Sequence, residues 1–212
     1  MSDQQALALD MLAEALNLGL GNVIDELSDI ASSRIQLHVP EVRIIPRNTA
    51  INMAIDSRDE GGAVFVQQSF YGEISGEALV CFSEAESLNL LNSLSSSNDE
   101  SHIEFSETEE EMLLDLTNVA VSGVIYAMSS LLEMKLTADL PRCEYGLFRD
   151  IRQSSLLSSD DQESVLFLTI CFTVVNRNST AQLMFFQNRE SLDRLYERVD
   201  QKLQKMLLGL GS

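Results

Sequence analysis

The chain has 212 residues, 45% of them hydrophobic and 22% charged. That is enough apolar material to bury a core, and too much for a disordered segment. Its 33 acidic and 14 basic residues give a formal charge of -19, which repels phosphate backbones and anionic lipid headgroups and so excludes nucleic acid and membrane as generic partners. No apolar run approaches the ~20 residues needed to cross a bilayer. The opening Met1-Ser2-Asp3-Gln4-Gln5 lacks the basic start of a secretory signal, so the expected location is the cytoplasm.

In chain order, residues 5–32 read as a helix whose stripe is Leu12, Leu16, Leu20, Val23, Leu27 and Ile30. A strand-like stretch, 35–45, closes at Pro46 and gives way to a polar turn with Gly61-Gly62. Two strand-like runs, 63–70 and 77–82, form a hairpin through Gly72, Ser75 and Gly76, and 84–94 is a short helix before the polar linker 95–101. The same order then returns. Residues 107–132 are a second long helix, 134–148 a strand-like stretch around Pro141, and 164–174 with 179–186 a second hairpin turned at 176–178. Residues 190–208 form a closing helix, read as core or self-association surface rather than a membrane anchor.

The repeat is exact where it is polar. Asp10, Glu14, Asn17 and Pro40 are matched by Glu111, Asp115, Asn118 and Pro141, each 101 residues later. Phe82 and Ser87-Leu88 return as Phe186 and Ser191-Leu192, 104 residues later, so the second unit is about three residues longer. The expected fold is α+β: two pseudo-symmetric helix-plus-strands repeats, about 5–94 and 105–208, share a mostly antiparallel sheet with the two long helices on one face. The whole chain, 1–212, is read as one domain.

Positions i, i+4 and i+7 of a helix lie within about 60° of each other. Asp10, Glu14 and Asn17 therefore form one polar strip, continued by Gly21, and Glu111, Asp115 and Asn118 form another, continued by Ser122. A helix resting on a sheet through its leucine stripe turns that strip outward. A lone acidic triplet is ordinarily just a solvated helix face. Here asparagine, a mediocre residue in mid-helix, recurs three residues after a carboxylate in both units, and the downstream proline keeps its distance.

The stretch Glu14-Ala-Leu-Asn17-Leu-Gly-Leu-Gly-Asn22, its second copy Asp115-Leu-Thr-Asn118 and the distant prolines resemble the CheC/CheX/FliY phosphatases, which act on phosphorylated CheY-type response regulators. Two copies in about 200 residues is the CheC layout. The resemblance implies that the helix docks on a regulator whose active site already holds an aspartyl phosphate and Mg²⁺, with no cofactor of the chain's own. Asn17 or Asn118 would orient the attacking water, and Glu14 or Asp115 would engage the regulator's active-site lysine. Asp10, Gly21, Glu111 and Ser122 would border the docked partner. The deamidase CheD, with which CheC proteins can pair, is a further candidate partner.

Two positions depart from the family pattern. Glu111 stands where Asp or Ser is usual, and Asp115 replaces the expected Glu with a carboxylate that reaches about 1.5 Å less far, a misplacement worth ~10²-fold. The first strip is therefore expected to carry the activity. The competing reading is a binding module, a sink or adaptor that docks on the phosphorylated regulator without hydrolysing it. The prolines are expected to set a strand start or bend.

Other signals lead nowhere. Gly19-x-Gly21 lies in a helix and lacks a third glycine, so it is not a dinucleotide fingerprint. Cys81, Cys143 and Cys171 fit no zinc or redox spacing, and Cys81 and Cys171 read as small core hydrophobes. His38 and His102 are too far apart to suggest a metal site.

Overall fold

The computed structural model describes residues 3–21, 24–30, 34–39, 41–56, 62–94, 107–147, 164–174, 177–187 and 189–209. In order they form α1 (Asp3–Gly21), α2 (Ile24–Ile30), β1 (Ile35–His38), β2 (Val42–Pro46), α3 (Arg47–Asp56), β3 (Gly62–Gly72) and β4 (Gly76–Ser83). There follow α4 (Glu84–Leu94), α5 (Glu107–Leu132), β5 (Leu136–Ala138), β6 (Arg142–Leu147), β7 (Ser164–Val174), β8 (Arg177–Gln187) and α6 (Arg189–Leu207).

All eight strands join one antiparallel sheet. The two hairpins meet at its centre, where β4 pairs with β8. β3 and β7 lie outside them, and two short strands fill the position beyond each. The short strands are exchanged between repeats: β1 and β2 pair with β7, whereas β5 and β6 pair with β3.

The strands alternate as a sheet covered on both faces must. Val64, Val66, Phe70, Ala78, Val80, Phe82, Leu166, Leu168, Ile170, Leu183 and Phe185 join the larger core with the apolar stripes of α1, α4, α5 and α6. Phe65, Leu79, Cys81, Val165, Phe167, Met184 and Phe186 point the other way, toward Ala50 and Met53 of α3. There the buried Arg47 guanidinium stacks 4.7 Å from the Phe186 ring centroid. The two long helices touch where Gly19 lets α1 approach Ala127 of α5, since a Cβ on Gly19 would lie 2.2 Å from the alanine Cβ. α5 is long and apolar enough, by length and composition, to cross a membrane over Glu110–Leu132. It amends the expectation that no segment approaches that length. In the fold its Leu113, Leu116, Val121, Val124 and Met128 are buried in the core.

The repeat, the hairpins and the helices at 84–94 and 107–132 stand where the sequence puts them. Four readings are corrected. The expected helix 5–32 is two elements, α1 and α2, on either side of residues 22–23, which lie outside the described residues. The stretch before Gly61-Gly62 holds the helix α3, where a turn was expected. Each strand-like stretch after a long helix is two strands, β1 with β2 and β5 with β6. Arg177 and Asn178, expected in the hairpin turn, belong to β8.

The break between those short strands is a β-bulge. On one side His38 pairs with Cys171 and Val42 with Leu168, so three residues oppose two. On the other, Ala138 pairs with Phe70 and Arg142 with Gln67, again three against two. Pro141 ends the second bulge immediately before β6, where its missing N–H breaks no ladder bond. Pro40 lies outside the described residues.

Candidate functional site

Both polar strips run along the outer surface. Asp10, Glu14 and Gly21 on α1 are exposed, as are Glu111 and Asp115 on α5, and Ser122 is half-buried. Nothing lies within 4 Å of a Cβ built on Gly21, so the approach there is open. Large apolar side chains stand beside the carboxylates and amides: Leu18 is 74% exposed, one residue after Asn17, and Leu140 is 78% exposed at the second bulge. His102 lies outside the described residues, and Cys81 and Cys171 sit in the sheet, buried and half-buried. Burial pushes the Cys171 thiol above its ordinary value.

The two asparagines are half-buried, and each turns toward the bulge beneath it. Asn17 is bound at both ends of its amide. Its Nδ2 donates to Ala13 O at 3.0 Å and to Val39 O at 2.8 Å. Its Oδ1 accepts the Val39 N–H at 2.8 Å and sits 3.1 Å from His38 Nδ1. A side-chain amide has two hydrogens to give and two lone pairs to offer. All four are engaged. The extra residue of a bulge leaves backbone groups off the ladder, and Asn17 satisfies those of Val39.

Asn118 meets a different partner. Its Oδ1 accepts from Gln68 Nε2 at 2.8 Å, and the Ser122 hydroxyl lies at a long 3.5 Å. Gln68 Nε2 also donates to Asp139 O at 2.7 Å. A backbone carbonyl only accepts, so the nitrogen of Gln68 must face it and the oxygen of Asn118 must face Gln68. No hydrogen bond from Asn118 Nδ2 is present among the described residues. Gln68 is 1% exposed, and its Oε1 has no partner among the described residues.

Gln68 is a residue the sequence reading passed over. Val64, Val66, Gln68 and Phe70 occupy one phase of β3, and a polar side chain in an apolar phase was the available signal. Its counterpart follows from the register. Val42 corresponds to Cys143 at the repeat offset; Val42 pairs with Leu168 and Cys143 with Val66. Two residues beyond Val66 is Gln68, and two beyond Leu168 is Ile170, fully buried in the same core.

No protein-family model matches the sequence. Among solved structures, Thermotoga maritima FliY is similar with a TM-score of 0.73 and 18% identity, covering 95% of this chain and 98% of that one. The fold is the FliY type. The same fold appears in the FliM middle domain from H. pylori, with a TM-score of 0.61 and 12% identity over 92% of this chain and 99% of that one. A chain of the FliG–FliM complex from H. pylori gives 0.62 and 12% over 91% and 100%. At such identities the likeness is one of architecture. The FliY-type fold thus places two outward strips and two bulges symmetrically, and different buried neighbours set the state of each asparagine.

Proposed function

We propose that this chain hydrolyses the aspartyl phosphate of a CheY-type response regulator. The observation that carries the proposal is the duplicated carboxylate–amide strip on the outer face of α1 and α5 in a FliY-type fold. The regulator supplies the phosphoryl group and the Mg²⁺ that neutralises it. Glu14 or Asp115 engages the regulator's active-site lysine, and the amide of Asn17 or Asn118 orients a water in line with the phosphorus. Attack forms a new P–O bond, breaks the bond to the aspartate oxygen, releases inorganic phosphate and returns the carboxylate. Such a step is governed by positioning and electrostatics and needs no nucleophile from this chain. A neutral amide is suited to it, because a carboxylate in its place would repel the phosphoryl oxygens.

The second reading is an adaptor that binds the phosphorylated regulator without hydrolysing it. The fully engaged amide of Asn17 favours it, since that strip offers carboxylates but no free donor. CheD remains a proposed second partner, on the family resemblance.

The test is decay of a ³²P-labelled regulator that has first been shown to bind. Acceleration by the intact protein is expected, with a loss of roughly 10²- to 10³-fold on Asn→Ala at the working strip. Glu14→Ala and Asp115→Ala, both at exposed positions, separate loss of a strip from loss of fold. Binding with unchanged decay would leave the adaptor reading in place of the enzyme.

A further inference from the structure

We infer that Gln68 is a positioning residue: it holds the Asn118 amide oxygen-inward, so the strip on α5, rather than that on α1, presents a free amide NH₂ to a docked partner. Three observations meet here. Gln68 is buried and bridges Asn118 Oδ1 to the bulge carbonyl of Asp139, which fixes the sense of both amides. Asn118 Nδ2 is bound to nothing among the described residues, whereas both hydrogens of Asn17 Nδ2 are committed within the fold. Finally, Ile170 occupies the place of Gln68 beneath the first strip and has no donor to offer, so Asn17 closes on the backbone of Val39 instead.

The buried Gln68 Oε1, which has no partner among the described residues, carries a penalty of the order of 1–3 kcal/mol. An apolar residue of similar size would avoid it, and the first repeat has one in Ile170. Gln68 therefore does something at Asn118 that packing alone does not require. To present its NH₂ to a regulator, Asn17 would have to give up its bonds within the fold, while both hydrogens of Asn118 Nδ2 are uncommitted among the described residues. The inference deepens the phosphatase reading by naming the working strip. Its kinetic arm rests on that reading and its spectroscopic arm does not.

The spectroscopic arm measures solvent exchange of side-chain NH₂ protons in the full ¹⁵N-labelled chain, with the two signals assigned from Asn17→Ala and Asn118→Ala. Exchange at Asn118 is expected to be roughly 10-fold or more faster than at Asn17; equal or reversed protection overturns the inference. The kinetic arm places Gln68→Ile, the residue of the first repeat, in two backgrounds. With the first strip silenced by Glu14→Ala, kcat on the phosphorylated regulator should fall roughly 10-fold or more while KM stays within about twofold. With the second strip silenced by Asp115→Ala, the low residual rate should not change, and an unaltered far-UV circular dichroism spectrum of Gln68→Ile reports that the fold is intact. An unchanged second-strip kcat, or an equal fall in both backgrounds, overturns the role of Gln68. If neither background hydrolyses the regulator, the phosphatase reading fails and the exchange measurement alone decides whether the amide is presented.

Discussion

The α1 and α5 strips carry the same polar spacing over the same kind of β-bulge, yet their asparagines are in opposite states. Asn17 is a strut, bound at every polar position and closing the backbone of Val39. Among the described residues, Asn118 is held by its oxygen alone. The difference comes from one buried position on each flanking strand, Ile170 in β7 and Gln68 in β3. A motif residue thus specifies an amide at a place, while its buried neighbour decides whether that amide belongs to the fold or to a partner.

The comparison breaks most readily in stability. Asn17→Ala strips the Val39 N–H and C=O of their partner and should cost about 2–4 kcal/mol, against about 1 kcal/mol for Asn118→Ala. Urea denaturation of the two variants checks this, and equal losses would mean that both asparagines are struts. A smaller effect is expected at the helix contact. Gly19→Val would drive a branched side chain into Ala127, where even a Cβ is crowded, and should cost about 1–3 kcal/mol. A change at the thermal midpoint of less than about 1 °C would show that α1 shifts freely over α5.

The smallest effect is in acid, and it concerns the frame of the second strip. The turn after β3 is tied to α6: Glu73 accepts from the Lys135 N–H at 3.1 Å and from Arg198 at 2.7 Å. Glu133, at the end of α5, faces Lys202 at 3.3 Å and Lys205 at 3.6 Å. The Lys135 N–H, and then Arg198, hold the Glu73 carboxyl below its ordinary 4.5, and the two lysines, Lys202 foremost, do the same for Glu133. A depressed carboxyl stabilises the fold fully above its unfolded value and loses that contribution as pH falls through the folded one. Stability should therefore decline modestly as pH drops below about 4.5, and the decline should flatten in Glu73→Gln. Unfolding midpoints between pH 6 and about 3 make the comparison.

Much of this was legible in the sequence because the repeat is written in its polar residues. The spacing Asp10–Glu14–Asn17 and its echo located both strips, and the outward direction of their carboxylates followed from the leucine stripe. The helix α3 was missed because Arg47-Asn-Thr-Ala-Ile-Asn-Met-Ala-Ile-Asp has poor helix formers and packs through only a short patch at Ala50, Ile51 and Met53. Its one cue was Pro46 immediately before it. The bulges were marked only by Pro40 and Pro141, which pointed to a strand start or bend but not to a break of three residues between two short strands. The constant spacing from Asn17 to Pro40 set the strip apart from a plain solvated face, and the bonds between Asn17 and Val39, the residue before that proline, give the spacing an internal reason. The expectation that the first strip leads rested on the reach of one carboxylate. It could not weigh Gln68, which lies 50 residues from Asn118 in the chain.

The exchange of short strands has a consequence for how such a molecule could be divided. Because β1 and β2 lie on β7, and β5 and β6 on β3, each half finishes the other's border. A fragment cut between the repeats would keep its hairpin but lose the strands that cover it, leaving two raw margins. Such a half could rebuild the eight-stranded sheet only by trading strands with a second copy of itself. Joining two halves in one chain removes that need for a twin, and it frees the two faces to diverge, one asparagine settling into the framework while the other stays at the surface.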